Sequence, residues 1–490
     1  MQKVARALVI YCGMGLYTGS LFACNQTSLS STPNIPTPLV AYTPIFDALP
    51  SNDLPMEFGM MFGGSVHDQA RSVAITSDNR VVVGVNTADS LSFLGVAPTE
   101  KTSAAGKIIQ FNSEGTAVLR IVGLGERVDD IQASPRTQEI FVGGDMGVMA
   151  LTDDLSVKWE QPLAEFSDGN GRSDGGKTKV SVAEDGSAAV IRSKNVIFLS
   201  PEGEILRSVK VERSFVNDVA IAPDGKTAYV VGYRNATRNN VPVQIAFLYA
   251  YEVSTGKRLW RLWDFEANLV GNDMADSRLY HVKVGADGVV HVAGESAGGN
   301  TIYRWNGQDL STPTLVNTDK YHHAYQTRAN HITYYGQVDP TEQKVIRGQL
   351  AIPRRSNNDG NTARVRDGAL EVDQAGTVFI SGRASASLPN RDQQQINGEN
   401  AGSYGGGEPF LLMVSADLST RYRWAPLAES GGFASGTAPG LVVRNGVGYL
   451  LATITQGAGF TTPGVVVNSA PNQADKNLSD VYLAKFRPYE

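Results

Sequence analysis

The sequence predicts an all-β protein, and three observations support this. Glycine is frequent, with 51 residues among 490, whereas charged residues make up only 19% of the chain. Such a composition suits short strands joined by many turns. Long runs of Ala, Leu, Glu and Lys at helical spacing are absent from the sequence. Finally, one short strand–turn–strand unit recurs along most of the chain, and repeats of this kind indicate a β-propeller.

The repeated unit is an alternating strand, a turn at Asp-Gly or similar residues, and a second β-rich strand that ends in glycine. Alternation with period two and such turn residues are what a β-hairpin requires. The clearest copies lie at 71–84, 219–232, 282–294 and 370–382. Weaker copies turn near Pro135, at 185–186 and at 445–446, which brings the number of units to seven.

Each hairpin is followed by a third strand, such as 107–111, and by a polar turn and a fourth strand, such as 117–121. Four-stranded antiparallel blades repeated seven times predict a seven-bladed β-propeller. The last unit stops after its third strand at 481–486, and a strand at 56–64 has the character of a fourth. We therefore predict that this N-terminal strand pairs with the last blade, which would close the ring and remove two exposed sheet edges.

The number of blades has an alternative, because the turns at Asp287 and Gln374 are far apart. We interpret residues 297–330 as an insertion in blade five, with 331–335 as the third strand of that blade. In the alternative interpretation, residues 300–352 form an eighth blade.

Parts of the repeat resemble a known family. Gly-Gly-Ser at 63–65, the hairpin after it and the strand at 106–112 resemble the bacterial SBBP-type β-propeller repeat. The strand at 480–486 is most similar to the Ala-Lys-Leu-type strand of that repeat. The resemblance covers about 60–490 and implies a propeller fold and export. It carries no catalytic residues.

A second resemblance is local. Residues 251–260 resemble the tryptophan-docking motif of quinoprotein propellers, in which Thr-Gly makes a tight turn and a tryptophan packs between blades. The motif implies that Trp260 has such a packing role. It does not imply a quinone cofactor.

The N-terminus predicts export and lipidation. Lys3 and Arg6 precede an apolar stretch at 7–23 that is too short and too rich in glycine for a good transmembrane span. Its end, Leu-Phe-Ala before Cys24, resembles the lipobox of bacterial lipoprotein precursors. This resemblance implies a signal peptide at 1–23, a lipidated Cys24 with a flexible tether at 24–55, and a propeller at 56–490. The alternatives are an ordinary signal peptide cut nearby or a plain anchor helix.

Cysteine usage agrees with lipidation, because Cys12 lies in the segment that would be removed and residues 25–490 contain no cysteine. An exported domain that lacks cysteine folds without disulfide bonds. We therefore expect a lipid-anchored protein of the bacterial cell envelope. The resemblance to lipoproteins implies that an aspartate directly after the lipidated cysteine indicates retention in the inner membrane. Asn25 stands at this position, which favours the outer membrane if the organism has one.

The long connecting segments share one place in the repeat, between the second and third strands of a blade. Equivalent loops of a propeller emerge on one face, and binding concentrates on such loops. We therefore predict one elaborated, functional face. Its segments are 86–105, 234–242, 297–330, 384–408 and 456–479.

Candidate ligand-binding residues cluster in blade five. Imidazoles with a carboxylate can bind Zn, Cu or Fe, but no HExxH spacing is present, so packing or ligand contact is the preferred interpretation. Tyrosines offer stacking surfaces for sugars. The possible metal or ligand residues are His281, His291, His322, His323, His331 and Asp319, and the possible stacking residues are Tyr321, Tyr325 and Tyr404.

Calcium is a second possible metal. Residues 168–175 partly resemble a calcium loop, in which oxygen ligands alternate along the chain. Arg172 stands where a third ligand is expected, and no glutamate closes the loop. A polar turn is therefore the preferred interpretation, and the same holds for 356–361.

The functional prediction is a binding or scaffold module that holds a protein or a glycan. The alternative is a metal- or quinone-dependent enzyme, or a polysaccharide lyase or hydrolase, with its site around blade five. Neither a nucleophile elbow nor a Walker loop is present in the sequence. The net charge is -6 and no basic stripe is visible, which argues against nucleic acid as a partner.

Overall fold

The computed structural model describes residues 53–489, except 65, 90, 92–93, 97–98, 100–104, 168–176, 214, 272–273, 314–315, 318–330, 354–359, 390, 403, 405, 428–434, 457–458 and 467–477. The predicted signal peptide, Cys24 and the predicted tether up to residue 52 lie outside the described residues. No helix in the described part is long and apolar enough to cross a membrane.

Seven antiparallel blades account for most of the described strands, and each blade has four strands in up-and-down order. The strands of the first four blades, from first to fourth, are β3 (Gln69–Ile75), β4 (Val81–Asn86), β5 (Gly106–Phe111) and β6 (Val118–Gly123) in blade one; β7 (Val128–Ala133), β8 (Ile140–Gly144), β9 (Gly147–Leu151) and β10 (Val157–Gln161) in blade two; β11 (Lys179–Val182), β12 (Ala188–Arg192), β13 (Asn195–Leu199) and β14 (Ile205–Lys210) in blade three; and β15 (Phe215–Ile221), β16 (Thr227–Arg238), β17 (Val241–Glu252) and β18 (Arg258–Trp263) in blade four.

The remaining three blades follow the same order. Their strands are β19 (Ser277–Val284), β20 (Val290–Ser296), β22 (Ile332–Asp339) and β23 (Lys344–Ala351) in blade five; β24 (Ala363–Val372), β25 (Val378–Ala384), β28 (Glu408–Val414) and β29 (Arg421–Pro426) in blade six; and β30 (Ser435–Arg444), β31 (Val447–Gln456), β32 (Asp480–Phe486) and β2 (Met56–Phe62) in blade seven.

Four short strands and three short 3-10 helices lie outside this scheme. The strand β21 (Val316–Asn317) adds to the outer edge of blade five, parallel to β23. An eighth sheet has three strands, β1 (Asp53–Leu54), β26 (Gln395–Ile396) and β27 (Glu399–Asn400), and it joins the N-terminus to the insertion of blade six. The 3-10 helices are Ala164–Phe166, Ile302–Arg304 and Arg391–Gln393.

The first strands of the blades form a closed ring. Each of them packs against the first strand of the blade before and the blade after, and β30 of blade seven packs against β3 of blade one. The all-β propeller fold with seven four-stranded blades is therefore confirmed. The segment 300–352 supplies the third and fourth strands of blade five, after an insertion that begins beyond β20.

The N-terminal strand closes the ring, as predicted. The strand β2 pairs antiparallel with β32, with Met60 opposite Leu483 and Phe62 opposite Val481. Glu57 of β2 also forms ion pairs with Lys485 and Arg487. Strand pairing begins at β1, two residues before the end of the predicted tether.

The hydrophobic core is divided into seven clusters, one at each interface between neighbouring blades. Inner strands are therefore buried on both faces, and they consist of nearly continuous apolar residues, as in the fully buried Val81–Asn86. Outer strands face solvent and are more polar, as in Ile205–Lys210.

Glycines at turns receive side chains from the neighbouring blade. Gly203 has φ of 87°, and a Cβ atom there would lie 2.5 Å from the ring of Trp159 in the blade before. The indole Nε1 of Trp159 donates a hydrogen bond to the carbonyl oxygen of Pro201 at 3.1 Å. Trp260, which the docking motif singled out, is half-buried against the core shared by blades four and five. Trp159 and Trp260 therefore both pack at blade interfaces.

One predicted loop is a regular hairpin. Residues 234–242 extend β16 and β17 and include the turn between them. The two strands pair without interruption, from Thr227 opposite Glu252 to Arg238 opposite Val241. The turn is made by Asn239 and Asn240, with φ of 46° and 63°. Asparagine tolerates this left-handed region, and two such residues in succession make a tight hairpin turn.

Candidate functional site

The two ends of the propeller differ in their connections. The start of each first strand lies beside the end of the second strand, as Gln69 lies opposite Asn86 in blade one. The connections from second to third strands leave at this end, which we name the long-loop face. The opposite end carries the turns between first and second strands, and we name it the short-turn face. The strand registers thus place the long connections on one face.

A central channel runs between the seven first strands. It has a volume of about 430 Å³ and is lined by residues from every blade. Polar side chains in the channel accept hydrogen bonds from the backbone of the next blade. Asp130 accepts from the amide of Val180 at 3.2 Å, and Asp218 accepts from the amide of Val282 at 3.0 Å. These polar side chains of the channel therefore complete the hydrogen bonding of the strands in the neighbouring blade.

A second cavity of about 320 Å³ opens where the channel meets the long-loop face, and we name it the vestibule. Its residues lie between the positions just before the first strands and about the middle of those strands, so they come from positions far apart in the sequence. The lining residues are Arg71, Arg127, Asp129, Lys177, Lys179, Val216, Asn217, Tyr280, His281, Arg366, Asp367, Gly368 and Pro439.

The vestibule is rich in cations although the chain as a whole is acidic. Five of its lining residues are arginine or lysine, and two are aspartate. The whole chain carries a net charge of -6. A cleft that gathers one sign of charge between low-dielectric walls focuses the electric field and attracts counter-ions. The vestibule therefore favours a negatively charged ligand.

The ion pairs in the vestibule are loose. The Nζ atom of Lys177 lies 3.6 Å from Asp367 Oδ1, and the Nζ atom of Lys179 lies 3.6 Å from Asp130 Oδ1. Burial lowers the pKa of Lys177. Burial also opposes the charge of Lys179, but Asp130 and Asp218 outweigh it and raise the pKa of this ammonium group.

Where the vestibule meets the channel, His281 lies near Asp218 in a buried environment. His281 Nε2 donates to the carbonyl oxygen of Val365 at 2.6 Å, and its Nδ1 lies 3.9 Å from Asp218 Oδ2. Burial, together with the nearby charge of Lys179, lowers the pKa of His281 to about 4. Burial raises the pKa of Asp218 to about 6, against the effect of Lys179. The structure thus places His281 at the interface between blades five and six, as a neutral, hydrogen-bonded side chain.

His331 belongs to a different group, centred on Glu295. Glu295 is fully buried and accepts hydrogen bonds from Arg364 Nη2 at 3.1 Å and from the amide of Val365 at 3.0 Å. His331 Nδ1 lies 3.0 Å from Glu295 Oε2. Burial opposes ionisation of Glu295, but His331 and Arg364 overcome it and lower its pKa.

Glu295 is not among the candidate residues that the sequence suggests. A signal was present, because a carboxylate inside an otherwise apolar strand is almost never buried without partners. Its partners could not be inferred, since Arg364 and Val365 belong to the next blade.

The other histidines of blade five do not join these groups. His291 is buried in β20, its Nε2 has no hydrogen-bond partner in the described structure, and burial lowers its pKa to about 4. Within the described ranges, no group of three or more His, Cys, Asp or Glu residues has the arrangement of a metal site. Outside those ranges lie His322, His323, Asp319, Tyr321, Tyr325 and the segment 168–175 that partly resembles a calcium loop.

Tyr404 lies in the insertion between β25 and β28, on the long-loop face. It is half-buried, and burial together with the charge of Glu408 raises its pKa. The same insertion is held by a buried ion pair in which Arg391 Nη2 donates to Glu408 Oε2 at 2.8 Å. The insertion that carries Tyr404 is therefore held in place by a buried ion pair.

Comparisons with known proteins add little to this description. No protein-family model and no curated protein sequence matches the chain. A chain of "Crystal Structure of Mitotic Checkpoint Complex" is similar in fold, with a TM-score of 0.48 and 10% identity over 92% of this chain and 100% of that chain. "Kuenenia stuttgartiensis Hydrazine Synthase" contains a chain with a TM-score of 0.39 and 12% identity over 66% of this chain and 75% of that one. The propeller assignment rests on the strand topology, and these likenesses carry no functional argument.

Proposed function

We propose that this protein is a binding module of the bacterial cell envelope that holds a partner, a glycan or a protein, on its long-loop face. The observation that carries the proposal is the position of the vestibule. The cavity opens at the end of the propeller from which the long connections leave, so a ligand in the cavity would also meet these connections. Binding sites commonly combine a preformed concave pocket with surrounding loops on a rigid scaffold.

The proposal includes a lipid anchor at Cys24. The apolar segment before this residue, the lipobox-like Leu-Phe-Ala and the lack of any later cysteine support it. The polar residues that follow Cys24 suit a tether, which would keep the propeller clear of the membrane surface. The partial likeness to SBBP-type repeats supports export in the same way.

Binding to purified polysaccharide from the host envelope tests the proposed face. We expect Tyr404→Ala to weaken this binding about threefold to tenfold, because an aromatic contact contributes about 0.5–1.5 kcal/mol. The matched control is Tyr489→Ala, since Tyr489 is 41% exposed and its hydroxyl bonds Asp373 in a turn of the short-turn face. Co-sedimentation at several polysaccharide concentrations gives the affinities.

The control should bind like the wild-type protein. Loss of binding in Tyr489→Ala with none in Tyr404→Ala would place the partner on the short-turn face and contradict the proposal. Melting temperatures of both variants show whether each one remains folded.

A further inference from the structure

We propose that the vestibule binds a sugar-sized ligand through a carboxylate or phosphate group, with the hydroxylated body of the ligand directed into the channel. This inference rests on the proposed function, because it names the ligand chemistry of the same face. It is carried by the charges of the cavity, by the loosely paired ammonium group of Lys177, and by the change of charge with depth.

The first argument is the balance of charge. Five cations and two carboxylates line a cavity of about 320 Å³. Arginine and lysine side chains are hydrogen-bond donors only, so this lining offers many donors and few acceptors. A carboxylate or phosphate supplies the complementary acceptors, and bonds between ionised partners are stronger than those between neutral ones.

The second argument concerns individual donors. Arg127 Nη2 donates to Gln69 Oε1 at 3.2 Å, whereas the buried Nε of Arg127 has no hydrogen-bond partner in the described structure. Lys177 lies 3.6 Å from its carboxylate partner Asp367, which is longer than a direct hydrogen bond. The Nε atom of Arg127 is buried, so Arg127 attracts a ligand through its charge, whereas the side chain of Lys177 is 40% exposed and its ammonium group can donate to a ligand at the mouth of the channel.

The third argument is the change of charge with depth. The channel below the vestibule brings the carboxylates Asp130, Asp218 and Glu371 together with the cations Lys179 and Lys283. A second anionic group would meet repulsion from these carboxylates, whereas hydroxyl groups can donate hydrogen bonds to their oxygens. A ligand with one anionic end and a hydroxylated body fits both levels, and the cavity volumes lie in the range of small-molecule sites.

Isothermal titration of the full chain with three sugars tests the inference. The probes are glucuronate, glucose 6-phosphate and glucose, at low ionic strength. We expect at least one anionic sugar to bind about tenfold or more tightly than glucose, and to lose affinity as salt is added. The tighter of the two anions identifies carboxylate or phosphate as the recognised group. Glucose that binds as tightly as both anions would overturn the inference.

Charge-neutral variants locate the site. We expect Arg127→Gln and Lys177→Gln each to weaken binding of the preferred anion about tenfold, while binding of glucose stays unchanged. The matched controls are Arg136→Gln and Lys226→Gln, because both residues are highly exposed on turns of the short-turn face. Vestibule variants that bind the anion as tightly as these controls would overturn the inference.

The outcome is separable from that of the proposed function. Envelope polysaccharide that binds through Tyr404 without any preference for anionic sugars would contradict only the vestibule inference. Anionic sugars that bind in the vestibule of a protein without affinity for envelope polymers would contradict only the proposed function.

Discussion

Polar side chains along the propeller axis supply hydrogen-bond acceptors for backbone amides of the first strands. Besides Asp130 and Asp218, Gln132 accepts from the amide of Val182 at 2.8 Å. Such buried carboxylates are costly unless donors surround them, and here the donors come from the next blade. The charges of the axis are thus part of how neighbouring blades are joined, and they also line the channel with polar groups.

The opposite pKa shifts of Asp218 and His281 predict how acid affects the fold. Asp218 has a pKa of about 6 in the folded protein, above its ordinary 3.8, so the fold holds a proton that the unfolded chain has released between about pH 4 and 6. Its contribution to stability therefore falls as the pH rises through this window. His281 has a folded pKa of about 4, below its ordinary 6.5, so its contribution rises with pH from about 4 to 6.5.

Asp218→Asn should separate these two contributions. We expect the free energy of unfolding of this variant to rise more steeply with pH between 4 and 6.5 than that of the wild-type protein, because the contribution of His281 is then no longer opposed. Urea unfolding at several pH values in this interval measures the slopes. Asp224→Asn, at an exposed turn, is the control. Equal slopes for the wild-type protein and Asp218→Asn would contradict the pKa shift of Asp218.

The sequence could identify individual polar residues but not their partners. His281 and His331 were singled out by their clustering in the chain, yet the structure places them in separate groups with Asp218 and Glu295. Groups of this kind form across blade interfaces, between residues that are far apart in the sequence. Periodicity within one strand contains no information about them.

At the scale of elements, closure of the ring depends on the strand β2. It is separated from its partner β32 by nearly the whole chain, yet it supplies the fourth strand of blade seven. Phe58 is buried, lies 6.1 Å from the ring of Tyr449 and packs on Gly115 of blade one, where a Cβ atom would come within 2.8 Å of the phenyl ring. One side chain therefore contacts both blades at the point of closure.

Phe58→Ala should destabilise the protein by about 3–5 kcal/mol, the usual cost of removing a buried phenyl group from a core. Denaturant unfolding measures this change. Leu119→Ala is the matched control, since Leu119 is 44% exposed on the outer strand of blade one and should cost under about 0.5 kcal/mol. A loss of unfolding free energy in Phe58→Ala as small as that expected for the control would mean that the ring does not depend on closure by β2.

Most strands could be predicted because propeller blades repeat local signals, namely alternation and turn residues. The third strand of blade five is predicted by such signals, whereas the closing strand is predicted by a last unit that stops after its third strand. The sequence predicts a loop at 234–242, whereas the structure forms a hairpin there, because two asparagines mark a tight turn less clearly than Asn-Gly does. The three-stranded sheet of β1, β26 and β27 was missed, because its two-residue strands are too short for any period to be visible.

At the scale of the whole molecule, ring closure creates both the channel and the vestibule. Every blade contributes its first strand to the axis, so residues as far apart in the sequence as Arg71 and Arg366 line one cavity. The sequence predicted which face carries the long connections, since that follows from their common place in the repeat. The cationic vestibule could not be predicted, because its charges come from several blades and no segment of the chain is basic.

The decisive experiment for a lipid-anchored binding propeller is cell fractionation of a Cys24→Ala variant. The wild-type protein should be found with membranes, because several acyl chains, each contributing ~0.8 kcal/mol per buried CH₂, make attachment effectively permanent. Cys24→Ala should appear in the soluble fraction with its propeller intact, while Cys12→Ala, in the segment proposed to be removed, should stay with the membranes. Cys24→Ala protein that remains in the membrane fraction would contradict the anchor and the envelope function that rests on it.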